Sequence, residues 1–127
     1  MRMLIGGEWS GGTDVTPVMD PFTGEVVDTV PTGTRADAAA AVTSAVEGFH
    51  KNRSLSAGER ARILRRTAEL LEGRKEELAI LIAREGSKTI REARKEVYRC
   101  TQTLRVSGEE ATRLLGETIS YDQQKGS

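Results

Sequence analysis

A chain of 127 residues suffices for one domain with a modest core. Lys+Arg 19 and Asp+Glu 19 cancel to a net charge of +0, and the basic residues alternate with glutamates, so no charged tail or stripe is present to hold nucleic acid or an anionic membrane. The single cysteine, Cys100, and single histidine, His50, exclude an internal disulfide and a multi-cysteine zinc site, and leave no neighbouring partner for a Cys-His or Ser-His-Asp site.

The first five residues, Met1 to Ile5, are too short an apolar stretch for a signal peptide, and no run approaches a membrane span, so a cytoplasmic protein is expected. Gly6-Gly7 between Leu4-Ile5 and Glu8-Trp9 is a two-residue hairpin signal. The pair Gly11-Gly12 follows, but neither glycine pair precedes a helix start, and no phosphate-binding pattern of glycines occurs. Val15 to Met19 is extended, with Pro17 marking an edge strand. Asp20-Pro21-Phe22-Thr23-Gly24 is a turn. Asp20 can accept hydrogen bonds from the amides ahead of it, Pro21 fixes φ, and Gly24 can take a positive φ. Glu25 to Val30 then reads as a strand ended by Pro31.

The chain changes character near Thr32-Gly33-Thr34, and four helices follow. The first opens on Thr34, with Asp37 three residues on, and carries Ala39, Val42, Val46 and Phe49 as an apolar stripe. The second opens on Ser56 with Glu59, carries Leu64, Ala68 and Leu71, and ends at Gly73 as its C′ residue. The third runs from about Arg74 to Glu85, buries Leu78, Leu81 and Ile82, and stops at Gly86. The fourth opens on Thr89 with Glu92 and runs through Ile90, Ala93, Val97, Cys100, Leu104, Gly108, Ala111 and Leu115 in one stripe, with Gly116 closing it. Glu117 to Tyr121 reads as extended. The order is strands, helices and one terminal strand. No βαβ alternation appears, so no nucleotide-binding sheet is expected within these residues.

Each chemically suggestive residue has a structural explanation in this pattern. Cys100 falls on the apolar stripe of the fourth helix and reads as a buried thiol. Glu92 and Glu96 share a helix face, but Glu92 is a capping residue and Glu96 has Lys95 and Arg99 within reach as surface ion-pair partners. His50 lies near the end of the first helix, where a cation suits the helix dipole. Lys88, in Glu85-Gly86-Ser87-Lys88-Thr89, is placed to neutralise the carbonyls ending the third helix.

Five segments, in order and at matching spacing, resemble the opening of an aldehyde dehydrogenase. Ile5-Gly6-Gly7-Glu8-Trp9 is similar to the family's I-D-G-E-W strand, and Asp20-Pro21-Phe22-Thr23-Gly24-Glu25-Val26-Val27 to its N-P-A-T-G-E-V-I. Ser56 to Leu64 resembles S-x-x-E-R-A-x-I-L. Glu85 to Val97 resembles E-T-G-K-P-x-x-E-A-x-x-E-V, and Gly116-Glu117-Thr118-Ile119 matches G-E-x-I. Asp20, Ser87 and Thr89 stand where Asn, Gly and Pro are usual. The long helix and the tail are most similar to the branch of lactaldehyde and semialdehyde dehydrogenases.

The resemblance implies an α+β segment of the α/β aldehyde dehydrogenase fold. It has a β-hairpin region at 1–33, a helical region at 34–115, and at 116–127 the start of the strand leading to the oligomerisation segment. It implies the N-terminal portion of an NAD(P)-dependent enzyme that oxidises an aldehyde to a carboxylic acid. In the family a cysteine thiolate attacks the aldehyde, hydride passes to the nicotinamide, and a glutamate assists hydrolysis. Those groups and the nucleotide site follow the region matched here, so no catalytic, cofactor-binding or metal-binding residue is expected in 1–127, and Cys100 does not match the catalytic cysteine. NAD or NADP is expected in the full-length enzyme and neither on this chain alone. The expected partners are the rest of the dehydrogenase chain and, when complete, further copies in a homo-oligomer. The alternative is a stand-alone helical interaction module, or a degenerate remnant without catalysis.

Overall fold

The computed structural model describes residues 2–12, 14–114 and 116. Among them the order is two β-hairpins followed by four helices: β1 (Met3–Ile5), β2 (Glu8–Ser10), β3 (Val15–Met19), β4 (Val26–Pro31), α1 (Arg35–Ser54), α2 (Ala57–Gly73), α3 (Lys75–Gly86) and α4 (Ile90–Glu110).

Both hairpins form where turn chemistry demands them. Gly6 and Gly7 take φ of 64° and 87°, the paired positive values that let a two-residue turn match the strand twist, and Ile5 pairs with Glu8 across it. In the second hairpin Asp20 Oδ1 accepts from the amides of Phe22 at 2.9 Å and Thr23 at 3.2 Å. Gly24, at φ 74°, donates its N–H to the Asp20 carbonyl at 2.8 Å. Pro17 faces Thr29 in an antiparallel ladder of only two strands, so its missing N–H disrupts no inner strand. The ladder skips Val27, because Val18 pairs with Asp28 and Met19 with Val26, which gives a local bulge beside the turn. Pro31 is the last strand residue, opposite Val15, rather than a stop before it.

Three helices open on complete capping boxes. Thr34, Ser56 and Thr89 each accept from the backbone N–H three residues on, and Asp37, Glu59 and Glu92 each accept from the cap's own N–H. These bonds satisfy N–H groups that a helix start otherwise leaves unpaired.

Several expected boundaries move. Gly73 is the last residue of α2, and the residue after it, Arg74, has φ −113° and ψ 16°; no left-handed glycine closes this helix. α3 ends in a left-handed residue, and that residue is Ser87, at φ 52°. α4 ends at Glu110 with Ala111 as its cap, five residues short of Leu115. The strand expected at Gly116-Glu117-Thr118-Ile119 and the tail to Ser127 lie outside the described residues, apart from Gly116.

The core lies where α2, α3 and α4 meet, and it is built of small residues. Ala61 and Ala68 of α2, Ala79 of α3, and Ala93, Val97, Thr101 and Gly108 of α4 are buried. Leu78, Ile82 and Ala83 pack around Ala79, Ala93 and Val97. Small side chains let helix backbones approach closely. A Cβ on Gly108 would lie 3.4 Å from the Ala61 carbonyl oxygen. Thr101 is tolerated there because its hydroxyl donates to the Tyr98 carbonyl at 2.7 Å.

Candidate functional site

Of the sequence-selected residues, Lys88, Glu92 and Glu96 line one shallow pocket with Lys95 and Arg99, and Cys100 and His50 do not join them. Cys100 is exposed, against the expectation of a buried thiol, and Thr101 occupies the buried position instead. The buried line of α4 runs through Ala93, Val97, Thr101 and Gly108, and Cys100 lies to one side of it. On α3, Ala79 is buried while Leu81 is 39% exposed, so the buried edge of the stripe is shifted from the expected one.

Charged groups are engaged with one another. Lys88 donates to Glu96, bridging the α3–α4 connection to the second turn of α4. This replaces both the expected role of Lys88 on the α3 carbonyls and the expected pairing of Glu96 with Lys95 or Arg99. Arg94 grips Glu76 with two bonds of 3.0 and 2.5 Å, tying α4 to α3, and Arg74 grips Glu77 at 2.9 and 2.6 Å. His50 stacks edge-on to Phe49, with ring centres 5.7 Å apart. Among the described residues no group of three or more His, Cys, Asp or Glu side chains is placed to hold a metal ion. No described helix is long and apolar enough to cross a membrane.

Three of the four described helix starts carry their own side-chain caps, and α3 opens on Arg74 with none. A pyrophosphate is held at a helix start by free N–H groups. At α1, α2 and α4 one such group already serves Thr34, Ser56 or Thr89, and the capping carboxylates of Asp37, Glu59 and Glu92 would repel a phosphate. Each carboxylate is held below its ordinary pKa by this bonding. For Asp37 and Glu92 the cap hydroxyl contributes most and the cap N–H next; for Glu59 the Ser56 N–H contributes most. Hydrogen bonds from Arg94 and Arg74 likewise lower Glu76 and Glu77.

A carboxylate with a depressed folded-state pKa contributes stability above its unfolded pKa and loses it as pH falls through the folded value. The helical circular-dichroism signal is therefore expected to hold from pH 7 to about 5 and to decline below about 4, where unfolded Asp and Glu take up protons. Glu59→Gln should reduce the acid-linked part of that decline. A signal unchanged down to about pH 2 would contradict the capping bonds.

What the surface does offer is apolar area. All four described Phe, Trp and Tyr residues are exposed: Trp9 61%, Phe22 88%, Phe49 60% and Tyr98 61%. Val42 and Val46 of α1 are exposed as well, at 65% and 52%. Helical periodicity correctly grouped Val42, Val46 and Phe49 on one face. It carried no sign that these residues would stay exposed among the described residues.

This arrangement is shared with known proteins. The family model for the aldehyde dehydrogenase family matches residues 9–127. The chain is 36% identical over 125 residues to the 3-sulfolactaldehyde dehydrogenase of Priestia megaterium, covering 98% of this chain and 26% of that protein. It is 35% identical over 122 residues to malonate-semialdehyde dehydrogenase 1 of Geobacillus kaustophilus, covering 94% of this chain and 25% of that one. Among solved structures, aldehyde dehydrogenase 21 from Physcomitrella patens superposes with a TM-score of 0.92 at 30% identity, over 97% of this chain and 26% of its own. The chain thus spans about a quarter of the length of the curated relatives it matches.

Proposed function

The chain belongs to the aldehyde dehydrogenase family, and from that premise we propose that it is the N-terminal segment of an NAD(P)-dependent enzyme oxidising an aldehyde to a carboxylic acid. The observation that carries this is the close superposition of nearly the whole chain on one quarter of a dehydrogenase. A core of alanines, with every described aromatic outside it, supports the same reading, because large apolar side chains are ordinarily what a self-contained core buries. The partner is the rest of a dehydrogenase chain. The same resemblance supports a cytoplasmic homo-oligomer.

In this reading residues 1–127 perform no chemical step. They supply packing surface, and nicotinamide binding and thioester chemistry belong to the polypeptide beyond the matched quarter. Three of the four described helix starts are closed by their own caps, which accords with a chain that binds neither NAD nor NADP by itself.

The test is a chimera joining residues 1–127 to the remainder of the Priestia megaterium 3-sulfolactaldehyde dehydrogenase. It should reduce NAD+ or NADP+ with 3-sulfolactaldehyde, at a rate within roughly tenfold of that relative, since the reacting groups are unchanged. The 127-residue chain alone should give no reduction above blank with either cofactor. A folded chimera without turnover, or turnover by the chain alone, would overturn the proposal.

A further inference from the structure

We propose that this chain is two conformational units that open separately. Helices α2, α3 and α4 open together as one cooperative block, while the hairpins and α1 open on their own and more readily. Every buried residue among the described ones lies in α2, α3 or α4. Among the described residues, the ion pairs that join one helix to another also lie there. Arg94 ties α4 to Glu76 of α3, and Arg105 of α4 lies 3.8 Å from Glu72 of α2. α4 thus shares a covered face with both of its neighbours, and no one of the three can leave without exposing the others.

The front of the chain lacks such mutual cover. α1 has no buried residue, and most of the stability of a helix in water comes from packing of one face. The hairpins are two separate sheets of two strands each, and a lone hairpin is marginal in water. α1 meets the first hairpin through Ser44, whose Oγ would lie 3.1 Å from a Cβ on Gly6, a contact of small groups. The boundary between the units falls just before Leu55. That residue is extended, at φ −68° and ψ 142°, and ends α1. Its carbonyl accepts from Arg60 Nη1 at 2.5 Å, so Leu55 is held by α2.

Native-state hydrogen exchange on the 127-residue chain tests this. Amides of α1 and the hairpins should exchange at least about tenfold faster than those of α2, α3 and α4. Gly108→Leu loosens the α2–α4 contact, and Val97→Ala, a milder change, loosens the α3–α4 core. Each should speed exchange in all three of these helices by one common factor, roughly tenfold or more for Gly108→Leu, and leave α1 and the hairpins at the parent's rates. Thr34→Ala removes the cap of α1 and should speed exchange in α1 alone. Trypsin should cut after Arg35, Lys51 or Arg53 before it cuts after any basic residue from Arg60 to Arg105.

If Gly108→Leu or Val97→Ala speeds exchange in α1 and the hairpins by the same factor as in α2–α4, the chain opens as one unit and the proposal falls. It falls equally if Val97→Ala speeds α3 and α4 but leaves α2 unchanged, because the three helices then do not open together. Neither variant changing any helix, or trypsin cutting first between Arg60 and Arg105, would also overturn it. Should Gly108→Leu fail to fold, the Val97→Ala pattern across the four helices decides alone.

Discussion

Gly108→Leu is expected to destabilise the helical unit by about 2 kcal/mol. Overpacking a tight contact costs about 3 kcal/mol, and the better helix propensity of leucine returns about 1. Gly108 is buried where α4 crosses the first turns of α2. A Cβ there would meet Arg65 Cγ at 3.3 Å, Ala61 O at 3.4 Å and Leu64 Cβ at 3.6 Å. The Arg65 stem can swing aside, but the Ala61 carbonyl belongs to the α2 backbone and cannot move without the helix. Alanine needs only a few tenths of an ångström, and its propensity gain should leave Gly108→Ala near neutral. Leucine adds three further heavy atoms and must separate the helices. Urea unfolding followed by helical circular dichroism separates the cases. A leucine variant with the wild-type midpoint would mean that α2 and α4 do not touch at this point.

The triple variant Thr34→Ala, Ser56→Ala, Thr89→Ala should lose about 3 kcal/mol, near 1 for each cap removed. Each hydroxyl accepts from one backbone N–H, at 3.2 Å for Asp37, 3.2 Å for Glu59 and 3.3 Å for Glu92. The three caps open different helices and share no hydrogen-bond partner, so their losses should add. Replacement of the same residues by serine, threonine or aspartate should recover most of the loss, because any short side chain with an acceptor oxygen can cap. If the triple alanine variant unfolds at the parent's urea midpoint, the caps contribute nothing to holding these helices.

Local chemistry was legible. The turn at Gly6-Gly7, the loop from Asp20 to Gly24 and all three capping boxes follow from residues within five positions of one another. Their hydrogen bonds close within that span whatever the rest of the molecule does. Five such signals at the right spacing also carried the resemblance to the family. Ala68, Ala93, Val97 and Gly108 are buried as their stripes predict, and what failed were the edges of those stripes. Periodicity grouped Cys100 with Ala93 and Val97, yet Cys100 is exposed and Thr101 takes the buried place. Lys88 was assigned to the nearest carbonyls, but the turn between α3 and α4 brings Glu96, eight residues away, within its reach.

The sequence by itself determined the hairpins, the helix starts, the order of elements and the family, because each depends on short-range bonding or on motifs in register. Only the tertiary structure decided that the inner contact of α2, α3 and α4 is made by alanines, Thr101 and Gly108, while Val42, Val46 and Phe49 face outward. The physical reason is that burial belongs to pairs of elements. A helix face is apolar by its own sequence, but it is buried only if another element lies against it, and α1 presents Ser44 to its neighbour instead.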